Sequence, residues 1–337
     1  MQRFWMEFGD LLHRHGMVCA RSAKRASYAT FSSKQQKLRR ELGRLLTGKL
    51  VSADGSRRPA YKLESPYNLD FKHVQALAED WCARGLSVAQ VHNLLSTFRV
   101  FGRWIGKPGL VPRTEKILHD SKYRRRTQVA TRDKSWRGTG VDAEAVIHKI
   151  SETEPKVAMV LDLMRTFGLR VKEASLLRPH FADQTHYLDV RRGCKGGRPR
   201  VVAINSQGAR DVLERAKRIV PNPLGCLIPE TRSYKSWSNH VYYVLRKNGI
   251  SRKTIGTSSH GLRHERLQNE YLARTGAPCP VAGGQPNSVD STTDRVARTH
   301  VSALAGHARR SVSSAYLGQF LRGARKIPPQ TKIGTKL

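Results

Sequence analysis

The stretch His260-Gly261-Leu262-Arg263-His264, followed by Leu304-Ala305-Gly306-His307 and then by Tyr316, decides how this chain is interpreted. His260 and Arg263 lie three residues apart at the start of a predicted helix, so both project from one side of its first turn. Backbone N–H groups of a first helical turn also favour an anion. This stretch therefore predicts a phosphate pocket, although H-x-x-R alone is a weak motif.

Two basic residues upstream extend this set: Arg170, in Thr166-Phe167-Gly168-Leu169-Arg170, and Lys195, in Gly193-Cys194-Lys195-Gly196-Gly197. Metal-free cleavage of a phosphodiester needs a nucleophile, positive charge for the non-bridging oxygens and a proton for the leaving 5′ oxygen. Arginine pairs, a lysine or histidine and a tyrosine meet these needs. We therefore predict a DNA strand-cleaving site with no metal and no cofactor. Taken singly, Tyr316 could be a half-buried core residue and Gly306-His307 an ordinary helix end.

In their order and spacing, these motifs resemble the tyrosine recombinases, the phage-type integrases. The resemblance covers roughly residues 141–322, and the helical region before it resembles the core-binding domain of that family. Every position of the family's catalytic set is filled, by Arg170, Lys195, His260, Arg263, His307 and Tyr316. The spacing of 44 positions between Arg263 and His307 is longer than usual for the family, which suggests an inserted loop.

The resemblance implies a role for each residue of the set. Tyr316 would attack the scissile phosphate, giving a 3′-phosphotyrosyl link and a free 5′ hydroxyl. The non-bridging oxygens would be held by Arg170 and Arg263. Lys195 would protonate the leaving oxygen and His260 would assist proton transfer at the tyrosine. His307 would hydrogen-bond the phosphate, whereas Glu173 is expected to position its neighbours.

The composition agrees with a nucleic-acid partner. A formal charge of +35 attracts polyanions, and double-stranded DNA is the expected partner. With 39% apolar residues and five tryptophans, the chain can build cores that a ribosomal or chromatin-like binder does not need. Five dispersed cysteines without a C-x-x-C pair, and the absence of a signal peptide or an 18-residue apolar run, predict a cytoplasmic, nucleoid-associated protein with no membrane contact.

The predicted fold class is mainly α with a small antiparallel β-sheet, arranged as a two-domain DNA clamp. We expect a basic N-terminal arm or extension over 1–60, a helical core-binding domain over 65–135 and a catalytic domain over 141–337. The catalytic domain would include an inserted surface loop at about 275–293, rich in Gly, Pro and Ser, and a C-terminal tail with Arg322, Arg325 and Lys326.

Periodicity and capping signals predict the individual elements. A helix from Leu69 would end at Gly85, and Ser87 would cap the next one. The other predicted helices are Ser33–Leu46, Asp142–Ile150, Glu154–Phe167, Gln207–Ile219 and Tyr234–Lys247. Two strands, His186–Val190 and Arg200–Ile204, would form a hairpin with Lys195 at its tip.

The helical domain also has a predicted basic face for DNA. Its residues are Arg99, Arg103, Lys107, Lys122, Arg124, Arg125 and Arg126. Tyr123, among these arginines, is a possible stacking or phosphate contact.

Three functions remain open at this point. The first is a site-specific recombinase or integrase, acting as a homotetramer on synapsed sites of a mobile element. The second is a type IB topoisomerase-like relaxase, and the third is a catalytically silent DNA-binding protein. The complete catalytic set favours the first two over the third, and the core-binding-like helical domain favours the recombinase.

Overall fold

The computed structural model describes residues 1–17 and 26–320, and the chain divides into two compact units, Met1–Thr127 and Gln128–Leu337. The described elements are helices and a two-stranded antiparallel sheet, which confirms the predicted mainly α fold class. Arg322, Arg325 and Lys326 of the predicted tail lie outside the described residues. In the described part of the chain, no helix is long and apolar enough to cross a membrane.

Unit 1 is helical. Its described helices are α1 (Gln2–His15), α2 (Tyr28–Leu46), α3 (Phe71–Ala83), α4 (Val88–Trp104), α5 (Thr114–Ile117) and α6 (Ser121–Arg124). The predicted capping box at the start of α4 is present, because Ser87 accepts from the Gln90 amide and the Gln90 side chain accepts from the Ser87 amide. Gly85 ends the preceding helical segment with a φ of 66°.

One hydrophobic core joins all of unit 1. Phe8 on α1 and Leu42 on α2 are fully buried in the same cluster as Trp81 on α3 and Phe98 on α4. The division into an arm over 1–60 and a domain over 65–135 stays a prediction, but the described helices of both ranges share this core. The physical reason is that the apolar faces of α1 and α2 need burial, and α3 and α4 provide it.

Unit 2 contains the remaining elements. They are α7 (Ala143–Ser151), α8 (Pro155–Phe167), α9 (Val171–Leu176), α10 (Pro179–Ala182), β1 (Tyr187–Val190), β2 (Arg200–Ala203), α11 (Gln207–Ile219), α12 (Tyr234–Lys247), α13 (His260–Thr275), α14 (Ser291–Leu304) and α15 (Ser314–Leu317). In the sheet Tyr187 lies opposite Ala203 and Val190 opposite Arg200. This pairing confirms the predicted hairpin, with Lys195 in the 3-10 turn between its strands.

Helix α8 is the centre of unit 2. Pro155 occupies its first turn, where the missing N–H costs little, and Val157, Leu161 and Met164 are buried against neighbouring helices. The helix ends at Gly168, whose φ of 64° turns the chain towards Arg170. The predicted start of α7 is also confirmed, since Asp142 accepts hydrogen bonds from two amides of its first turn.

The predicted loop at 275–293 is shorter in the structure and partly buried. Asp290 caps α14, so the loop spans 276–290. Cys279 is 1% exposed, and the 3-10 turn Pro280–Ala282 contacts α15. The loop therefore contributes to packing beneath the last described helix.

Candidate active site

Two arginines of unit 2 meet at the end of α14. The last carbonyls of a helix have no partner within it and carry partial negative charge. The carbonyl of Ala305 accepts from Nη2 of Arg170 at 2.9 Å and from Nη2 of Arg263 at 2.6 Å. Arg263 also donates to the carbonyl of Gly168, at the end of α8. Gly306 has a φ of 67°, and this left-handed turn ends α14 beside the arginines.

A buried carboxylate holds two guanidinium groups. Glu173 is fully buried and accepts from Arg170 Nη1 at 2.5 Å and from Arg200 Nη1 and Nη2 at 2.9 and 2.8 Å. Burial acts to raise the pKa of Glu173, but the hydrogen bonds and charges of Arg200 and Arg170 together outweigh it and lower the pKa to about 2. Glu173 is thus ionised at neutral pH, and its contacts are those of a positioning residue.

The phenol of Tyr316 lies beside these arginines. Its Oη accepts from Nε of Arg263 at 3.4 Å and is also 3.4 Å from Nε2 of His307. The backbone around it is fixed on both sides, because Ala130 N–H donates to the Ser314 carbonyl and Arg298 donates to the Gly318 carbonyl, each at 2.9 Å. Tyr316 is 6% exposed, so its hydroxyl is held in the cluster rather than in solvent.

Three histidine rings surround the tyrosine. The ring centroids of His260, His264 and His307 lie 6.0, 4.9 and 6.3 Å from that of Tyr316. Burial, together with nearby positive charge, lowers the pKa of His260 to about 3 and the pKa of His264 and of His307 to about 4. All three are neutral at pH 7, and a neutral imidazole can accept a proton.

Lys195 stands apart from the other five predicted residues. It is exposed in the hairpin turn and makes no hydrogen bond or ion pair within the described residues. Its charge is one of those that lower the pKa of His307, after burial and the charges of Arg170 and Arg263. The hairpin therefore places a free ammonium near the site.

Residues 127–269 match the model of the integrase family. The match covers less than half of the chain. The resemblance to tyrosine recombinases inferred from the motifs is thereby confirmed.

Solved structures share the fold. A lambda integrase dimer bound to a COC′ core site matches with a TM-score of 0.58 and 15% identity, over 96% of this chain and 99% of that one. The Tn1549 transposon integrase in complex with transposon right end DNA matches with a TM-score of 0.54 and 13% identity, over 93% of this chain and 95% of that one. A lambda integrase tetramer bound to a Holliday junction matches with a TM-score of 0.54 and 14% identity, over 92% of this chain and 76% of that one. No curated protein matches the sequence.

Several predicted DNA contacts have structural partners in unit 1. Arg99 is half-buried and donates to the carbonyl of Pro112 at 2.8 Å and to the Thr114 hydroxyl at 3.3 Å. Burial lowers its pKa. Arg99 therefore holds the chain before α5, and its role as a DNA contact stays a prediction. Tyr123 is 2% exposed in the core, so it is not a surface stacking residue.

The remaining basic residues fall into two groups. Three donate to their own unit: Lys107 to the Leu69 carbonyl, Arg124 to the His119 carbonyl and Arg126 to the Asn93 side chain, at 2.9–3.0 Å. The other three are exposed and have no hydrogen bond or ion pair from their side chains in the described part of the chain. They are Arg103, Lys122 and Arg125.

Residues that the motifs did not indicate complete the site. Arg200 is the second arginine on Glu173, and Arg298 anchors the chain after Tyr316. Gln268 donates to Asp133 at 2.8 Å and to the Tyr316 carbonyl at 3.4 Å. One signal was available for Arg298: apolar residues at helical spacing behind a capping aspartate indicate α14, on which it lies.

Proposed function

We propose that this chain is a site-specific DNA recombinase that cleaves and rejoins strands through a 3′-phosphotyrosyl intermediate. One observation carries the proposal: the Tyr316 hydroxyl lies 3.4 Å from both Arg263 and His307, next to the carbonyl that Arg170 and Arg263 share. The hydroxyl proposed as the nucleophile is thus close to guanidinium groups whose geometry matches phosphate oxygens, which supports the proposal.

The reaction is an exchange of one phosphate ester for another. Each guanidinium has five N–H donors, so Arg170 and Arg263 can hold a phosphate without losing all of their present bonds. Tyr316 Oη forms a bond to phosphorus, the bond to the 5′ oxygen breaks, and His260 accepts the phenol proton. Lys195 gives a proton to the leaving 5′ oxygen, and reversal rejoins the strand without an external energy source.

Double-stranded DNA is the proposed substrate, and the charge of +35 supports it. The integrases with this fold are described as a dimer on a core site and a tetramer on a Holliday junction. By analogy we propose a homotetramer on synapsed sites, integration or excision of a mobile element, and association with the nucleoid. Unit 1 would serve as the core-binding domain, with Arg103, Lys122 and Arg125 on phosphates.

Covalent trapping on a nicked duplex from the chain's own genomic flanks tests the chemistry. The unaltered chain should form a DNA adduct, and Tyr316→Phe should form none while its DNA affinity stays within about twofold, since only the hydroxyl is lost. Tyr243→Phe, on the exposed side of α12, is the matched control and should retain the adduct. An adduct from Tyr316→Phe would refute the assignment of the nucleophile.

The same preparation separates the alternatives. Recombinant products support the recombinase. Relaxation of supercoiled DNA by the monomer without recombinants would assign a topoisomerase-like relaxase, and DNA binding without any adduct would assign a silent binder.

A further inference from the structure

A second basic cavity lies next to the candidate active site. It has a volume of about 250 Å³ and is lined by Arg132 and Lys134, by Arg252, and by the first turn of α13 with His260 and Gly261. Three separate segments of unit 2 thus contribute to one concave surface. None of the three cationic residues belongs to the predicted catalytic set.

The cations of this cavity have no counter-ion. In the described part of the chain, the side chains of Arg132, Lys134 and Arg252 make no hydrogen bond or ion pair. Their charge acts on two histidines beside Tyr316: after burial, Lys134 is the next contributor to the lowered pKa of His264, and Arg252 contributes at His260. The cavity therefore concentrates positive charge that the protein itself does not neutralise.

The neighbouring Asp133 does not neutralise the positive charge of the cavity. Asp133 raises the pKa of His264, but its Oδ1 already accepts from the Ser135 amide and from Gln268, each at 2.8 Å. The Asp133 carboxylate thus accepts hydrogen bonds from its own surroundings rather than from the cations of the cavity. An anion from outside is the partner that the cavity lacks.

Size and location narrow the choice of anion. Since a water molecule occupies about 30 Å³ of liquid, the cavity has room for a phosphate group with some of its hydration shell. Lysine, arginine and the amides of a first helical turn all favour phosphate. His260 belongs to the wall of the cavity and also lies 6.0 Å from the ring of Tyr316, so the cavity and the nucleophile are neighbours.

We propose that this cavity binds the phosphate next to the scissile one on the same DNA strand, and so determines which phosphodiester Tyr316 attacks. Successive phosphates of one strand advance only about 3.4 Å along the helix axis, which suits two adjacent anion sites. The inference rests on the proposed function, because it names a subsite for that substrate.

Neutral methylphosphonate links, placed one at a time around the scissile position of a nicked duplex, test the subsite. With the unaltered chain, one flanking link should lower adduct yield and affinity about tenfold, as expected for the loss of a charge-assisted bond. The double variant Lys134→Gln/Arg252→Gln should show the same roughly tenfold lower adduct yield and affinity on DNA without the methylphosphonate. Adding the methylphosphonate at that position should then lower them by less than about twofold further. Its log–log salt slope should fall by about 0.9.

A charge-matched control separates the cavity from general electrostatics. Lys149→Gln/Lys253→Gln removes the same charge from exposed positions outside the cavity and should keep the methylphosphonate profile of the unaltered chain. The proposal is overturned if the cavity variant also keeps that profile. Arg252 is exposed, so Arg252→Gln alone repeats the test should the double variant unfold. Failure of the proposed function is distinct, because the unaltered chain would then form no adduct on any duplex.

Discussion

Replacing Glu173 with glutamine should destabilise unit 2 strongly. The carboxylate is fully buried and accepts hydrogen bonds from Arg170 and Arg200, and Arg263 Nη1 lies 4.0 Å from it. Glutamine keeps the shape of the side chain but removes the negative charge. Three guanidinium groups would then share a buried region without their anionic partner.

Two estimates give the loss of unfolding free energy expected for Glu173→Gln. Removing one member of a buried ion pair costs about 3–5 kcal/mol. The pKa of Glu173, lowered from an ordinary 4.5 to about 2, corresponds to about 3 kcal/mol at 1.4 kcal/mol per unit. Because the folded-state pKa is depressed, this contribution is complete above pH 4.5 and is lost as the pH falls towards 2. At pH 7 the full loss applies, equivalent to roughly 10 °C in Tm for a unit of this size.

Urea unfolding of the full chain at pH 7 measures this loss, and hydrogen exchange in peptides from residues 155–176 assigns it to unit 2. Glu144→Gln is the control, since the Glu144 carboxylate is 81% exposed in its 3.2 Å pair with Arg165 and should leave the transition unchanged. If Glu173→Gln unfolds at the same urea concentration as this control, the negative charge of Glu173 does not stabilise the buried arginines and the reasoning is refuted. The acid-dependent loss between pH 4.5 and 2 should also be smaller in the variant.

Three further outcomes are expected. Arg298→Met removes the hydrogen bond to the Gly318 carbonyl behind Tyr316, the proposed nucleophile, so single-turnover adduct formation should fall about tenfold with duplex affinity unchanged; a parallel loss of affinity would contradict a positioning role. The pKa of His264 is lowered from 6.5 to about 4, chiefly by burial, so urea midpoints should fall as the pH drops through this range. His264→Asn should reduce that dependence by up to about 1.4 kcal/mol per pH unit, and an unaltered slope would argue against a buried neutral imidazole. Arg99→Ala should destabilise unit 1 by about 1–3 kcal/mol without changing the salt slope of DNA binding, whereas Arg125→Ala should lower that slope by about 0.9 at unchanged stability; the reverse pattern would identify Arg99 as the DNA contact.

How far the sequence predicts this molecule depends on whether a signal is local. Helices α8, α11 and α12 were predicted within a residue, because caps, a first-turn proline and apolar spacing lie in the elements themselves. Helix α14 was missed because the Gly, Pro and Ser residues before it suggested a longer loop. Periodicity also shows that α1 and α2 have apolar faces, but the core that buries them is a tertiary property.

In the site, the residue types could be predicted from the sequence, but the backbone geometry that brings them together could not. The order of charged residues indicated the candidate chemistry, but the acceptor that brings Arg170 and Arg263 together is the backbone carbonyl of Ala305. Any residue type carries such a carbonyl, so no motif identifies it. Arg99 shows a related limit: its acceptors include the carbonyl of Pro112, and an arginine that binds backbone has the same sequence signal as one that binds phosphate.

Arg170 and Arg263 are electrostatically coupled to His260 and His307. Burial and the arginine charges keep His260 and His307 neutral, and the same arginines are the proposed phosphate ligands. A bound phosphodiester would offset part of that positive charge, so we expect the pKa of His260 to rise when DNA binds. A stronger base would then be present when a phosphate stands before Tyr316, and a weaker one when the site is empty. One carboxylate, Glu173, faces the three guanidinium groups of Arg170, Arg200 and Arg263, so positive charge remains both to attract a phosphate and to act on the histidines.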